Sequence, residues 1–64
     1  MNVTPIREAA SHMQQAAATI VQLKVGHPDL EDKATEAVRG LNRGATELYS
    51  LAREMEDKAY ARGH

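Results

Sequence analysis

Apolar residues recur at alternating spacings of three and four on both sides of Gly26-His27-Pro28-Asp29. Before it they are Ile6, Ala9, Met13, Ala16, Ile20 and Leu23; after it, Leu30, Ala34, Ala37, Leu41, Gly44, Leu48, Leu51 and Met55. Such spacing gathers one stripe of each segment onto one side of an α-helix. The pattern predicts an all-α, antiparallel helical hairpin forming a single domain over residues 1–64. Its first helix runs over about 5–25, its turn over 26–29 and its second helix over about 30–62.

Local signals agree with that division. Thr4 followed by Pro5 is a helix start, because the hydroxyl can accept an orphan backbone N–H and proline at the first helical position loses no hydrogen bond. Gly26 can take the left-handed conformation that closes a helix, and Pro28 discourages continuation. Asp29, Glu31 and Asp32 then put negative charge at the positive end of the second helix. Ala, Leu, Glu, Arg and Lys dominate both segments, while Phe and Trp are absent, so intrinsic propensity favours helix over strand.

Closing the hairpin predicts layers whose facing residue numbers add to about 54, by the adjacency of packed helices. Ile20 then meets Ala34, Ala16 and Ala17 meet Ala37 and Val38, Met13 meets Leu41, Ala9 and Ala10 meet Gly44 and Ala45, and Ile6 meets Leu48. Small layers alternate with bulky ones, which lets the backbones approach closely. Gly40 and Gly44 each cost a helix interior about 1 kcal/mol relative to Ala. The unbroken spacing from Leu30 to Met55 favours a continuous second helix; a break at 40–44 is the alternative and gives a three-helix bundle.

The two helices differ in length, at ~32 and ~50 Å for 1.5 Å per residue, so roughly twelve residues of the second overhang. Met55 and Ala59 continue the seam into that overhang, where Val3 can at most cover Leu51. The first helix carries a second apolar stripe at Ala18, Val21 and Val25, and its only formal charges are Arg7, Glu8 and Lys24. One narrow seam in 64 residues is a small core against the cost of ordering the chain. Self-association is therefore expected, as a homodimeric four-helix bundle or a higher oligomer, with Ala18, Val21, Val25, Leu51, Met55 and Ala59 at the interface.

Composition removes several classes of function. With Lys plus Arg at 8 and Asp plus Glu at 9, net charge is close to zero and supplies no global attraction to nucleic acid or anionic lipid. No apolar run approaches the roughly 18 residues of a membrane span. The N-terminus lacks the basic segment and apolar stretch of a secretory signal, so a soluble, cytoplasmic protein is expected. The absence of cysteine rules out disulfides and thiolate metal sites.

Candidate chemistry is sparse. His12 lies beside the seam, His27 in the turn and His64 at the terminus; no two have the i, i+4 spacing of a helical metal site, and no Glu-x-x-His motif occurs. His27 is placed to satisfy free carbonyls at the end of the first helix. Ser11, Thr19, Thr35, Thr46 and Ser50 form no recognisable nucleophile arrangement with a histidine. Gln14, Gln15, Gln22 and Lys24 carry no recognition code, and Met13 and Met55 belong to the seam. No metal, cofactor or enzymatic activity is expected.

The outer side of the second helix holds more. Arg39, Arg43, Thr46, Tyr49, Ser50, Arg53 and Tyr60 recur at helical offsets away from the seam and include both aromatic residues. Arg and Tyr are enriched at binding hot spots and can together hold phosphate and stack on a base. The same face is also consistent with solvated pairs Arg43 with Glu47, Arg53 with Asp57 and Glu54 with Lys58. Arg39 and Arg43 repel each other unless something anionic lies between them. Arg39, Arg43, Thr46, Tyr49, Arg53 and Tyr60 are the partner-binding candidates.

In size, in its hairpin plan, and in Glu47-Leu48-Tyr49 with Leu51-Ala52-Arg53, the chain resembles the plasmid-encoded Rop family. That resemblance implies a dimeric four-helix bundle that binds paired RNA loops. The RNA-contacting residues of that family lie on its first helix and include an aromatic, which the first helix here lacks, so the resemblance transfers no site. Three functions are compatible with these features. The leading one is a non-enzymatic interaction protein, an inhibitor, adaptor or regulator of another protein, of the kind that short phage and mobile-element genes encode. The others are an RNA-binding hairpin dimer and an oligomer that sequesters a small anionic nucleotide between Arg43, Tyr49 or Arg53 of neighbouring chains.

Overall fold

A computed structural model describes residues 2–62. Helix α1 spans Thr4–Leu23 and helix α2 spans Glu31–Arg62, with two short turns of 3₁₀ helix between them, Lys24–Gly26 and Pro28–Leu30. No strand occurs among the described residues. The hairpin measures 55 × 15 × 8 Å, which is one layer of two helices with nothing stacked above or below.

The start of α1 is capped by a different residue from the one expected. Thr4 is already helical, and its backbone N–H donates to Asn2 Oδ1 at 3.0 Å. The N–H groups of Ile6 and Arg7 donate to the Val3 carbonyl at 3.0 and 3.2 Å. The short amide of Asn2, two residues before the first orphan donor, does the work expected of the Thr4 hydroxyl.

The reversal falls within the expected turn, but without the left-handed conformation expected of Gly26. No glycine among the described residues has positive φ; the break is His27, at φ −138° and ψ 69°. Pro28 is the cause, because its ring clashes with an α conformation at the residue before it. His27 meets its obligations through the backbone, donating to the Lys24 carbonyl at 2.9 Å and accepting from Leu30 at 3.0 Å. No side-chain cap is involved.

α2 is continuous through Gly40 and Gly44, so the three-helix alternative is overturned. Gly44 has a packing role: a Cβ there would meet Met13 Cε at 3.0 Å and Sδ at 3.4 Å, so its bare backbone gives the methionine somewhere to lie. Gly40 has open space where a side chain would stand.

The buried residues are Val3, Ala10 and Ala17 on α1 and Ala45 and Ala52 on α2. Each set repeats every seven residues, the mark of two helices in close antiparallel contact along a line of small side chains. Of the expected small layers, Ala10, Ala17 and Ala45 are buried, whereas their neighbours Ala9, Ala16 and Ala37 are exposed and Leu23 is 65% exposed. Ile6, Met13, Ile20, Leu41, Leu48 and Met55 remain in the seam, half-buried. Contacts across it also run further along than the expected layers. Met13 lies on Gly44, Arg7 pairs with Glu56 and the Tyr49 hydroxyl reaches Gln14 Oε1 at 3.5 Å. Helical side chains lean toward their own N-terminus, so in an antiparallel pair the tips meet residues beyond those at equal height.

Candidate interaction surface

The two flanks of the seam are chemically unlike. On one, Arg7 donates to Glu56 and Tyr49 to Gln14, residues again seven apart on each helix, and these polar bridges arch over the buried alanines. Both members of the Arg7 and Glu56 pair are about half-exposed. On the other flank the positions repeating every seven residues are Ala9, Ala16 and Leu23 on α1, Leu30 in the turn, and Ala37, Gly44 and Leu51 on α2. None of these seven is polar; the same line ends in Asn2 on one side and Lys58 on the other. Behind them stand the half-buried Ile6, Met13, Ile20, Leu41, Leu48 and Met55, so this side of the hairpin is one apolar face open along its length. Sequence reasoning placed much of it inside the hairpin; its signal was the second seven-residue repeat, which runs beside the buried one.

The interface residues expected from sequence divide between two sides. Leu51 (45% exposed) and Met55 belong to the open face, and Ala59 continues the buried line. Ala18, Val21 and Val25 (81% exposed) lie toward the opposite flank of α1. The overhang is shorter than expected, because Val3 is buried and Arg7 reaches Glu56.

Along the outer side of α2, Arg39, Thr46, Arg53 and Tyr60 repeat every seven residues and are exposed, with Arg43 on the neighbouring line. Tyr49 departs from this stripe, since its hydroxyl turns toward α1. The Thr46 hydroxyl donates to the Asn42 carbonyl at 3.1 Å, which spends its proton within the helix. Arg39 meets an anion from its own helix, Glu36 Oε1 at 3.2 Å. The missing side chain of Gly40 leaves an open groove lined by Glu36, Arg39, Gly40 and Arg43. Among the described residues, the ion pairs Arg43 with Glu47, Arg53 with Asp57 and Glu54 with Lys58 do not form.

Among the described residues no three of His, Asp and Glu cluster as metal ligands. His12 and His27 are both exposed, and His64 lies outside the described residues. No described helix is long and apolar enough to cross a membrane. No family model, curated protein or solved structure matches this chain. The likeness to the Rop family therefore rests on the hairpin plan and the short segments of α2 that carry it.

Proposed function

We propose that this chain is a non-enzymatic interaction module: a helical hairpin that pairs with a second copy through its open apolar face, forming a homodimeric four-helix bundle. In this reading it acts as an inhibitor, adaptor or regulator of another protein in the cytoplasm, of the kind that phage and mobile-element genes encode. The outer stripe of α2, with Arg39, Arg43, Arg53 and Tyr60 at its centre, is the surface offered to that partner.

One observation carries the self-association. The chain exposes 5082 Å², whereas a folded monomer of 7.0 kDa exposes about 4,000 Å². The excess, on the order of 1,000 Å², matches the roughly 800 Å² that each partner contributes to a standard stable interface. The flank of Ala9, Ala16, Leu23, Ala37 and Leu51 is the apolar surface on which such an interface can form, and among the described residues the hairpin's own buried core is one Val and four Ala.

Native mass spectrometry of the untagged protein from its host tests both halves together. Two copies, with or without a bound protein, are expected. A monomer would overturn the self-association, and extra mass matching a nucleotide would replace protein binding with sequestration.

A further inference from the structure

We infer that the groove over Gly40 receives an acidic side chain of the partner protein, held between Arg39 and Arg43, from a segment in which basic residues flank that acid. This rests on the outer stripe of α2 being the surface offered to a protein, as proposed above, and adds where the contact centres and what chemistry it takes.

Nothing within the described hairpin requires a glycine at position 40. The residue lies in the interior of α2, where glycine is less favourable than any residue but proline, and a Cβ there would meet nothing within 4 Å. Gly44, one turn on, makes room for Met13; Gly40 makes room for no part of its own chain. Its bare backbone opens a groove of about 490 Å³ lined by Glu36, Arg39, Gly40 and Arg43. A missing Cβ at such a place lets another molecule approach the backbone closely.

The charges around the groove suit an incoming anion. Arg39 and Arg43 stand four residues apart, about 6 Å along the axis, and like charges at that spacing disfavour the free helix. Arg39 is met by Glu36 at 3.2 Å, with both side chains about three-quarters exposed, a solvent-screened pair that a carboxylate held by both arginines can displace. Arg43 has no ion-pair partner among the described residues. A carboxylate above Gly40 would accept charge-assisted hydrogen bonds from both guanidinium groups.

The surroundings select a single acid on a protein over a run of phosphates. Asp32, Glu36, Glu47 and Glu54 are exposed at helical offsets on the same side of α2, so the line along the helix reads negative, positive, negative. A nucleic-acid backbone laid along it would meet carboxylates on both sides of the arginines. A protein segment with one Asp or Glu between lysines or arginines complements all three zones.

The blocked heptapeptide Lys-Ala-Ala-Glu-Ala-Ala-Lys is the probe. It is too short to hold a helix in water; extended, it places each lysine ~10 Å from the glutamate, close to the ~10 Å rise from Gly40 to Glu47. Titrated into the isotope-labelled full chain and followed by heteronuclear NMR, it is expected to give saturable amide shifts that are largest at Gly40 and Arg43. The same peptide with glutamine for glutamate should shift them little. Gly40→Leu, which fills the groove from a position with open space, and the pair Arg39→Ala with Arg43→Ala should each weaken binding roughly tenfold or more, the loss of one charge-assisted bond. Helical content should be kept in both. No response at Gly40, a glutamine peptide that binds as well, or shifts as large at Arg7 and Arg53 as at Arg43 would overturn the groove while leaving the rest of the stripe as a protein surface. Stronger shifts with a thymidine hexanucleotide would overturn the protein partner as well.

Discussion

Gly40→Ala tests whether α2 is one helix with a solvent-facing glycine at its centre. A Cβ at position 40 meets nothing within 4 Å, so the substitution adds no clash and removes the backbone freedom that glycine carries into the unfolded chain. The expected gain is about 1 kcal/mol, the full difference in helix propensity between glycine and alanine. For a domain of this size that raises Tm by roughly 4–8 °C. Gly44→Ala is the matched comparison: its new methyl would stand 3.0 Å from Met13 Cε. The Met13 end must move by a few tenths of an ångström, and the gain should be smaller than at position 40. Thermal unfolding by circular dichroism, at one fixed chain concentration because association shifts Tm, measures both. If Gly40→Ala lowers Tm, the glycine sits in a break that needs its backbone freedom, and the continuous helix is wrong.

Other substitutions probe the seam and its flanks. Ala10→Leu inserts a large side chain where the native residue is fully buried, and should destabilise by about 1–3 kcal/mol, read as a lower midpoint in urea. Arg7→Ala removes a pair in which both side chains are about half-exposed; its cost should stay under about 1 kcal/mol and shrink further in high salt. Arg53→Ala truncates an exposed side chain of the outer stripe, so helical content should be retained while affinity for the proposed protein partner falls. Replacing Arg39 and Arg43 together by Ala should leave assembly unchanged; a loss of dimer would place the outer stripe in the self-interface.

The hairpin was legible because two independent signals coincided, the three-four spacing and the proline at its turn. Which member of each adjacent small pair is buried was not. Ala9 and Ala10 are both small, as are Ala16 and Ala17, so apolar spacing alone fits either line. What distinguishes them is the polar flank: Arg7 and Gln14 on α1 and Tyr49 and Glu56 on α2 can bridge the helices only beside Ala10, Ala17, Ala45 and Ala52. Choosing that line leaves the opposite flank bare, and an exposed apolar face therefore replaced part of the expected core. Within the expected turn, His27 rather than Gly26 takes the non-helical conformation, because the steric reach of Pro28 onto the residue before it decides the break. On the outer stripe, the seven-residue repeat of Arg39, Thr46, Arg53 and Tyr60 was readable directly, whereas the bond of Tyr49 to Gln14 depends on a register that sequence spacing did not set.

The central claim, that a second copy covers the apolar face, is tested most directly by sedimentation equilibrium of three proteins at micromolar concentration. The native chain should sediment at twice its formula mass, and so should Val25→Glu, which places its charge on an already exposed side chain away from the face. Leu51→Glu sets an unpaired carboxylate in the interface, at a cost of about 3 kcal/mol or more than a hundredfold in Kd, and should shift toward the mass of one chain. A native chain that stays monomeric, or a Leu51→Glu chain as dimeric as the native one, would contradict the account.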